Sequence, residues 1–146
     1  MHYSEWLGKL YTIEQYLQEC LTPVCKEYHI NMTELTVLLF LHNNPEKNTA
    51  TDIIEYSRLA KANVSKAVEH LMRRDLLVRI RDTQDRRIAH LCLTSTAELM
   101  MPDLHRAAEV FLKGIFADFS AEELRAYSQF NDRIAANAEN RLKKNQ

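Results

Sequence analysis

The chain has 146 residues, 27% of them charged and 46% hydrophobic, and a net charge of −1. That suffices for one ordinary domain with its own core and is too apolar for a disordered segment. Two glycines and three prolines leave little room for a long linker, and three cysteines without C-x-x-C spacing fit neither a disulfide framework nor a zinc ribbon.

The opening residues carry no basic n-region and no apolar h-region, and the longest apolar run, 37–41, is far too short to span a bilayer. A cytoplasmic protein with no membrane partner is expected. A first helix is predicted from about residue 3 to 24, where Trp6, Leu10, Ile13, Leu17, Cys20 and Val24 recur at alternating steps of four and three, a coiled-coil-like seam. Pro23 should bend or end it. A second helix should begin near Asn31, which stands three residues ahead of Glu34 in capping-box spacing; Thr33 is an alternative cap. Leu35, Leu38, Leu39 and His42 line one side of it, and Asn43, Asn44 and Pro45 stop it. Residues 51–56 read as a short helix with a turn at 57–59.

The next stretch organises the rest. Leu59, Val64, Val68, Leu71 and Met72 form an apolar stripe at helical spacing, while Lys61, Asn63, Ser65, Lys66, Glu69, His70 and Arg73 make up the opposite, polar face. The period then changes to two short runs, 77–81 and 88–93, separated by residues 82–87, four of them charged: a hairpin with a basic tip. Thr94 or Ser95 caps a long helix reaching about residue 116, with Pro102 inside it and Leu104, Ala108, Phe111 and Ile115 on one side. Ser120 and Glu123 make a second capping box, opening a last helix marked by Leu124, Tyr127, Phe130, Ile134 and Leu142; residues 143–146 should fray. The predicted fold is mostly α with a small β-hairpin wing, a winged helix-turn-helix. From Arg58 to His90 nine cations face four anions, a net of +5 in a chain of −1. A basic island in an acidic body is an electrostatic footprint for phosphate.

In the order and spacing of Ala62 to Lys66 opening the polar-faced helix, Leu76 and Leu77 ending it, Asp85, Arg86 and Arg87 in the wing, and Leu93 and Thr94 closing the hairpin, the chain resembles the multiple-antibiotic-resistance regulator (MarR) family of transcription factors. The resemblance implies one MarR-type domain: residues 31–99 a DNA-binding lobe, residues 1–30 and 100–146 dimerisation helices that interlock in a homodimer. It also implies that residues 47–49 add a short third strand, and that a small, often aromatic or phenolic effector binds between the dimer helices and the lobe. Trp6, Tyr11, Tyr16 and His29 are candidates for that pocket. The family usually has glycine where Arg58 and Asp75 stand; Asp tolerates a left-handed backbone better than most residues.

Against double-stranded DNA, Asn63, Ser65, Lys66 and His70 are the expected major-groove residues, because their donors and acceptors can meet base edges. Arg73 and Arg74 are expected on phosphates. Arg86 and Arg87 should enter a narrow minor groove, with Asp85 holding a guanidinium through a charge-assisted bond. Two alternatives stay open: a redox-sensing regulator of the same fold using Cys20 or Cys25, and a winged-helix protein-interaction module that does not bind DNA. The histidines show no ligand spacing, so neither metal nor cofactor is expected. Phosphate-loop, nucleophile-elbow and H-E-x-x-H motifs are absent, and Ser65, His70 and Asp75 lie at i+5 spacing on different faces of a helix, so no enzyme is expected.

Overall fold

Capping chemistry sets the element boundaries. The computed structural model describes residues 2–144, in the order α1 (Tyr3–Glu27), α2 (Met32–Asn43), α3 (Ala50–Ser57), α4 (Lys61–Arg73), β1 (Leu77–Arg81), β2 (Ala89–Leu93), α5 (Ser95–Ile115) and α6 (Ala121–Lys144). Asn31 caps α2 as expected, its side chain accepting the Glu34 N–H at 2.9 Å while Glu34 accepts the Asn31 N–H at 3.0 Å. Thr49 and Asp52 build the same reciprocal box at α3, and Ser120 and Glu123 build it at α6. Thr94 rather than Ser95 caps α5, its hydroxyl accepting the Ala97 N–H at 3.2 Å. Pro23 neither ends nor breaks α1, which runs three residues past the predicted end at residue 24. The predicted fraying falls partly outside the described residues; Lys143 and Lys144 are helical.

Left-handed corners close several helices, and none of them uses glycine. His29, Arg58, Asp75 and Asp118 have φ of 52°, 57°, 56° and 63°. After His29 and after Asp75 the next N–H reaches back five residues, Ile30 to the Cys25 carbonyl and Leu76 to the Leu71 carbonyl, each at 2.9 Å. These are Schellman closures, which satisfy carbonyls the helix leaves open. Arg58 and Asp75, which stand where the family usually has glycine, both adopt the left-handed turn.

Packing divides the chain into one unit through Phe111 and a second from Leu112. In the first, α2 is apolar on nearly every side, and Leu35, Val37, Leu38, Phe40 and Leu41 are all buried. Around it pack Ile53 of α3, the Val64, Ala67, Val68 and Leu71 stripe of α4, Leu77 and Leu91 of the hairpin, and Met100, Met101 and Leu104 of α5. The strands pair antiparallel with Leu77 opposite Leu93 and Arg81 opposite Ala89. The expected third strand at 47–49 is reduced to one bond, Leu91 N–H to the Asn48 carbonyl at 2.8 Å; among the described residues the sheet has two strands. The architecture is a winged helix-turn-helix.

Elsewhere the apolar side chains stay uncovered. Trp6, Leu10 and Ile13, the first half of the α1 seam, are exposed. In the second unit Phe116 packs edge-on against Phe119 and Tyr127, with ring centroids 5.8 and 5.2 Å apart. Helix α6 buries none of its residues, and Leu124, Tyr127, Phe130, Ile134 and Leu142 all stand exposed.

Candidate nucleic-acid interface

Helix α4 is held by its stripe. With Val64, Ala67, Val68 and Leu71 inside, the helical period turns Asn63, Ser65, Lys66 and Arg73 outward, and all four are exposed. His70 is half-buried, because its Nδ1 pairs with the Glu34 carboxylate. Glu34 itself is only 2% exposed. One of its oxygens takes His70 and the other takes the Asn31 N–H. A buried carboxylate needs such partners, since desolvation otherwise disfavours the charge. The capping box spacing identifies Glu34 as the residue that caps α2, but sequence pattern gives no sign that it also grips α4.

Arg74 departs from the expected phosphate role. Its guanidinium donates to the His29 carbonyl at 2.6 Å and to the Tyr28 carbonyl at 2.7 Å, the oxygens left at the C-terminal end of α1. The left-handed turn at His29 presents both carbonyls together, and a planar fork matches them. Arg73 and Arg74 therefore separate: the first faces solvent, the second ties α4 to α1.

At the hairpin tip, Asp82 Oδ1 accepts the N–H groups of Gln84 and Asp85, both at 2.8 Å. These bonds, with the His90 ring against Oδ2, pull the Asp82 carboxyl down to about 2. Asp85 accepts the Arg87 N–H at 3.0 Å and its guanidinium at 3.1 and 3.2 Å, and the same contacts hold the Asp85 carboxyl below its usual range. The Asp85–Arg87 contact expected from the motif is therefore present. Arg87 nevertheless keeps 90% of its side chain in solvent, and Arg86 is exposed beside it. Sequence pattern places Asp82 in the tip but assigns no contact to it, to Asn48 or to His90. Their connection spans 42 residues between Asn48 and His90, and no periodicity reports such a contact.

A cleft of about 550 Å³ lies between the α1–α2 turn and α4, lined among others by His29, Thr33, Glu34, Lys66, His70 and Arg73. Of the aromatic residues named for an effector, His29 lines this cleft, Tyr16 packs against Phe111 at 5.7 Å, and Trp6 and Tyr11 stand exposed. Cys25 is buried, and burial pushes its thiol up, opposite to what a reactive thiolate requires; Cys20 is half-buried. Among the described residues no cluster of three or more His, Cys, Asp or Glu could hold a metal, and no helix is long and apolar enough to cross a membrane.

Residues 30–88 match the model of the MarR family. No curated protein matches in sequence. Among solved structures, the chain is similar to a MarR transcriptional regulator from Methanosarcina mazei Go1 at 20% identity, covering 93% of this chain and 98% of that one with a TM-score of 0.72. It is similar to MepR of S. aureus, solved as a DNA complex, at 18% identity over 94% and 98% with a TM-score of 0.76. Similarity to PcaV of Streptomyces coelicolor, solved with its natural ligand, is 23% over 94% of each chain with a TM-score of 0.74. The shared fold and the family match together bear out the resemblance read from the wing and recognition-helix residues.

Proposed function

We propose that this chain, which carries the MarR family pattern across its helix-turn-helix, is a homodimeric, sequence-specific DNA-binding transcriptional regulator of the cytoplasm. One observation carries the reading. A helix with its apolar stripe locked in the core turns Asn63, Ser65, Lys66 and Arg73 to solvent, and the hairpin following it exposes Arg86 and Arg87 at its tip. In this reading Asn63, Ser65 and Lys66 read base edges in the major groove, with His70 at the margin and Arg73 on phosphate. Arg87, aimed by Asp85, enters the minor groove beside Arg86. Arg74 belongs to the scaffold. Two lobes on one dimer would meet half-sites about one DNA turn apart, roughly 34–36 Å.

A small aromatic or phenolic effector that favours another spacing of the lobes would release the DNA, because a ligand shifts an equilibrium by its differential affinity for the two states. The ligand-bound structure of PcaV supports carrying that expectation here.

Selection of bound duplexes from random DNA by the purified chain tests the reading. A pseudo-palindromic consensus is expected, with affinity falling steeply as salt rises through counterion release. Lys66→Ala and Arg87→Ala should each remove most of the affinity for the selected duplex. If no duplex is enriched, or Arg87→Ala binds as wild type, the chain is a winged-helix module with another partner.

A further inference from the structure

One imidazole links the tip of the wing to the connection between α2 and α3. His90, on β2, sets its Nδ1 at 2.6 Å from Asn48 Oδ1 and its Nε2 at 3.0 Å from Asp82 Oδ2. Asn48 lies in the connection between α2 and α3, and its own carbonyl accepts the Leu91 N–H at 2.8 Å, so this end of the bridge is fixed to the sheet. The other end is the carboxylate that folds the tip, since Asp82 also gathers the N–H groups of Gln84 and Asp85. The Asp82 carboxylate accepts, so Nε2 donates to it, while the Asn48 amide can meet Nδ1 with its oxygen or its nitrogen.

We propose that His90 is the positioning residue of the wing, bridging Asp82 at the tip to Asn48 in the α2–α3 connection and so setting the aim of Arg86 and Arg87. The consequence for DNA rests on the function proposed above; the bridge itself does not. Asp82 faces the ring from the tip, and Asp52 stands near it in the first turn of α3, its carboxyl held low chiefly by Thr49, with lesser contributions from Lys47 and His90. A ring held at both nitrogens cannot turn, so the carboxylate that folds the tip stays fixed against the α2–α3 connection.

The experiment follows the backbone amides of Gln84 and Asp85 by NMR in the full chain, in the wild type and in His90→Ala, His90→Gln and Asn48→Ala, beside binding to a fluorescent mixed-sequence duplex of about three DNA turns. The tip amides are expected to shift in His90→Ala and in Asn48→Ala, with His90→Gln, which keeps a polar side chain, between them and the wild type. Duplex affinity is expected to fall about tenfold in His90→Ala and in Asn48→Ala and by less in His90→Gln. Lys66→Ala should bind weakly with its tip amides unmoved. Tip amides that ignore His90→Ala, or a His90→Ala protein that binds the duplex as the wild type does, overturn the proposal. Tip amides that move in His90→Ala beside a wild type that binds no duplex remove the gene-control reading and leave the bridge standing.

Discussion

Glu34 shows how much one side chain can do out of sight. It caps α2 with one oxygen and holds His70 with the other, at 2% exposure. Glu34→Ala strips both partners at once. Since His70 remains half in water, the loss should be about 2–3 kcal/mol rather than the larger cost of stranding a charge in the core. Chemical denaturation measures it; an unchanged midpoint would mean the pair contributes nothing. Arg73 and Arg74, adjacent and alike in sequence, should separate in the same assay. Arg74→Ala should lower stability by about 1–2 kcal/mol, because two carbonyls lose charged donors. Arg73→Ala should leave stability alone and weaken DNA binding. The sequence marks both as cations next to a recognition helix. Which one folds back is decided by where the carbonyls of Tyr28 and His29 stand, a contact across 45 residues that local pattern does not encode.

At the scale of elements, periodicity reads α4 well, because its stripe alternates sharply with its polar face. It reads the wing less fully. Asp85, Arg86 and Arg87 are legible from their spacing, but Asp82, which shapes the tip, is a single Asp in a charged run. Its role as an acceptor for two N–H groups exists only once the turn forms. The Asp82 carboxyl, brought down to about 2, favours the folded tip at pH values above its ordinary 3.8 and loses that contribution as pH falls through about 2. Acid should therefore undo the tip between about pH 4 and pH 2, seen as movement of the Gln84 and Asp85 amides, and Asp82→Asn should blunt the change. Helix α1 carries a different liability. Gly8 sits in its interior, and a Cβ there would meet nothing within 4 Å. Gly8→Ala should raise thermal stability by roughly 0.5–1 kcal/mol through helix propensity alone. A fall instead would mean that a partner's backbone approaches this point in the assembled protein.

For the molecule as a whole, the uncovered side chains carry the meaning. A helix of 24 residues with none buried, bearing Leu124, Phe130 and Ile134 at 37%, 57% and 56% exposure, is not stable on its own terms in water. The exposed half of the α1 seam poses the same question. The dimer proposed above supplies the cover. Sedimentation should give twice the mass of the 17.1 kDa chain, and Phe130→Asp should shift it toward the single chain and remove DNA binding along with it. A Phe130→Asp protein that stays dimeric would place the contact elsewhere. The seam spacing marks an apolar face on α1 from residues alone; what covers that face is a property of two chains, and a single sequence does not encode it locally.

The four corners at His29, Arg58, Asp75 and Asp118 hold a backbone that ordinary side chains adopt at a cost of roughly 1–2 kcal/mol each, while the two glycines lie inside helices. The chain thus works with slack in hand. Exchanging residue types between bends and rods would harden it without touching a side chain assigned to DNA.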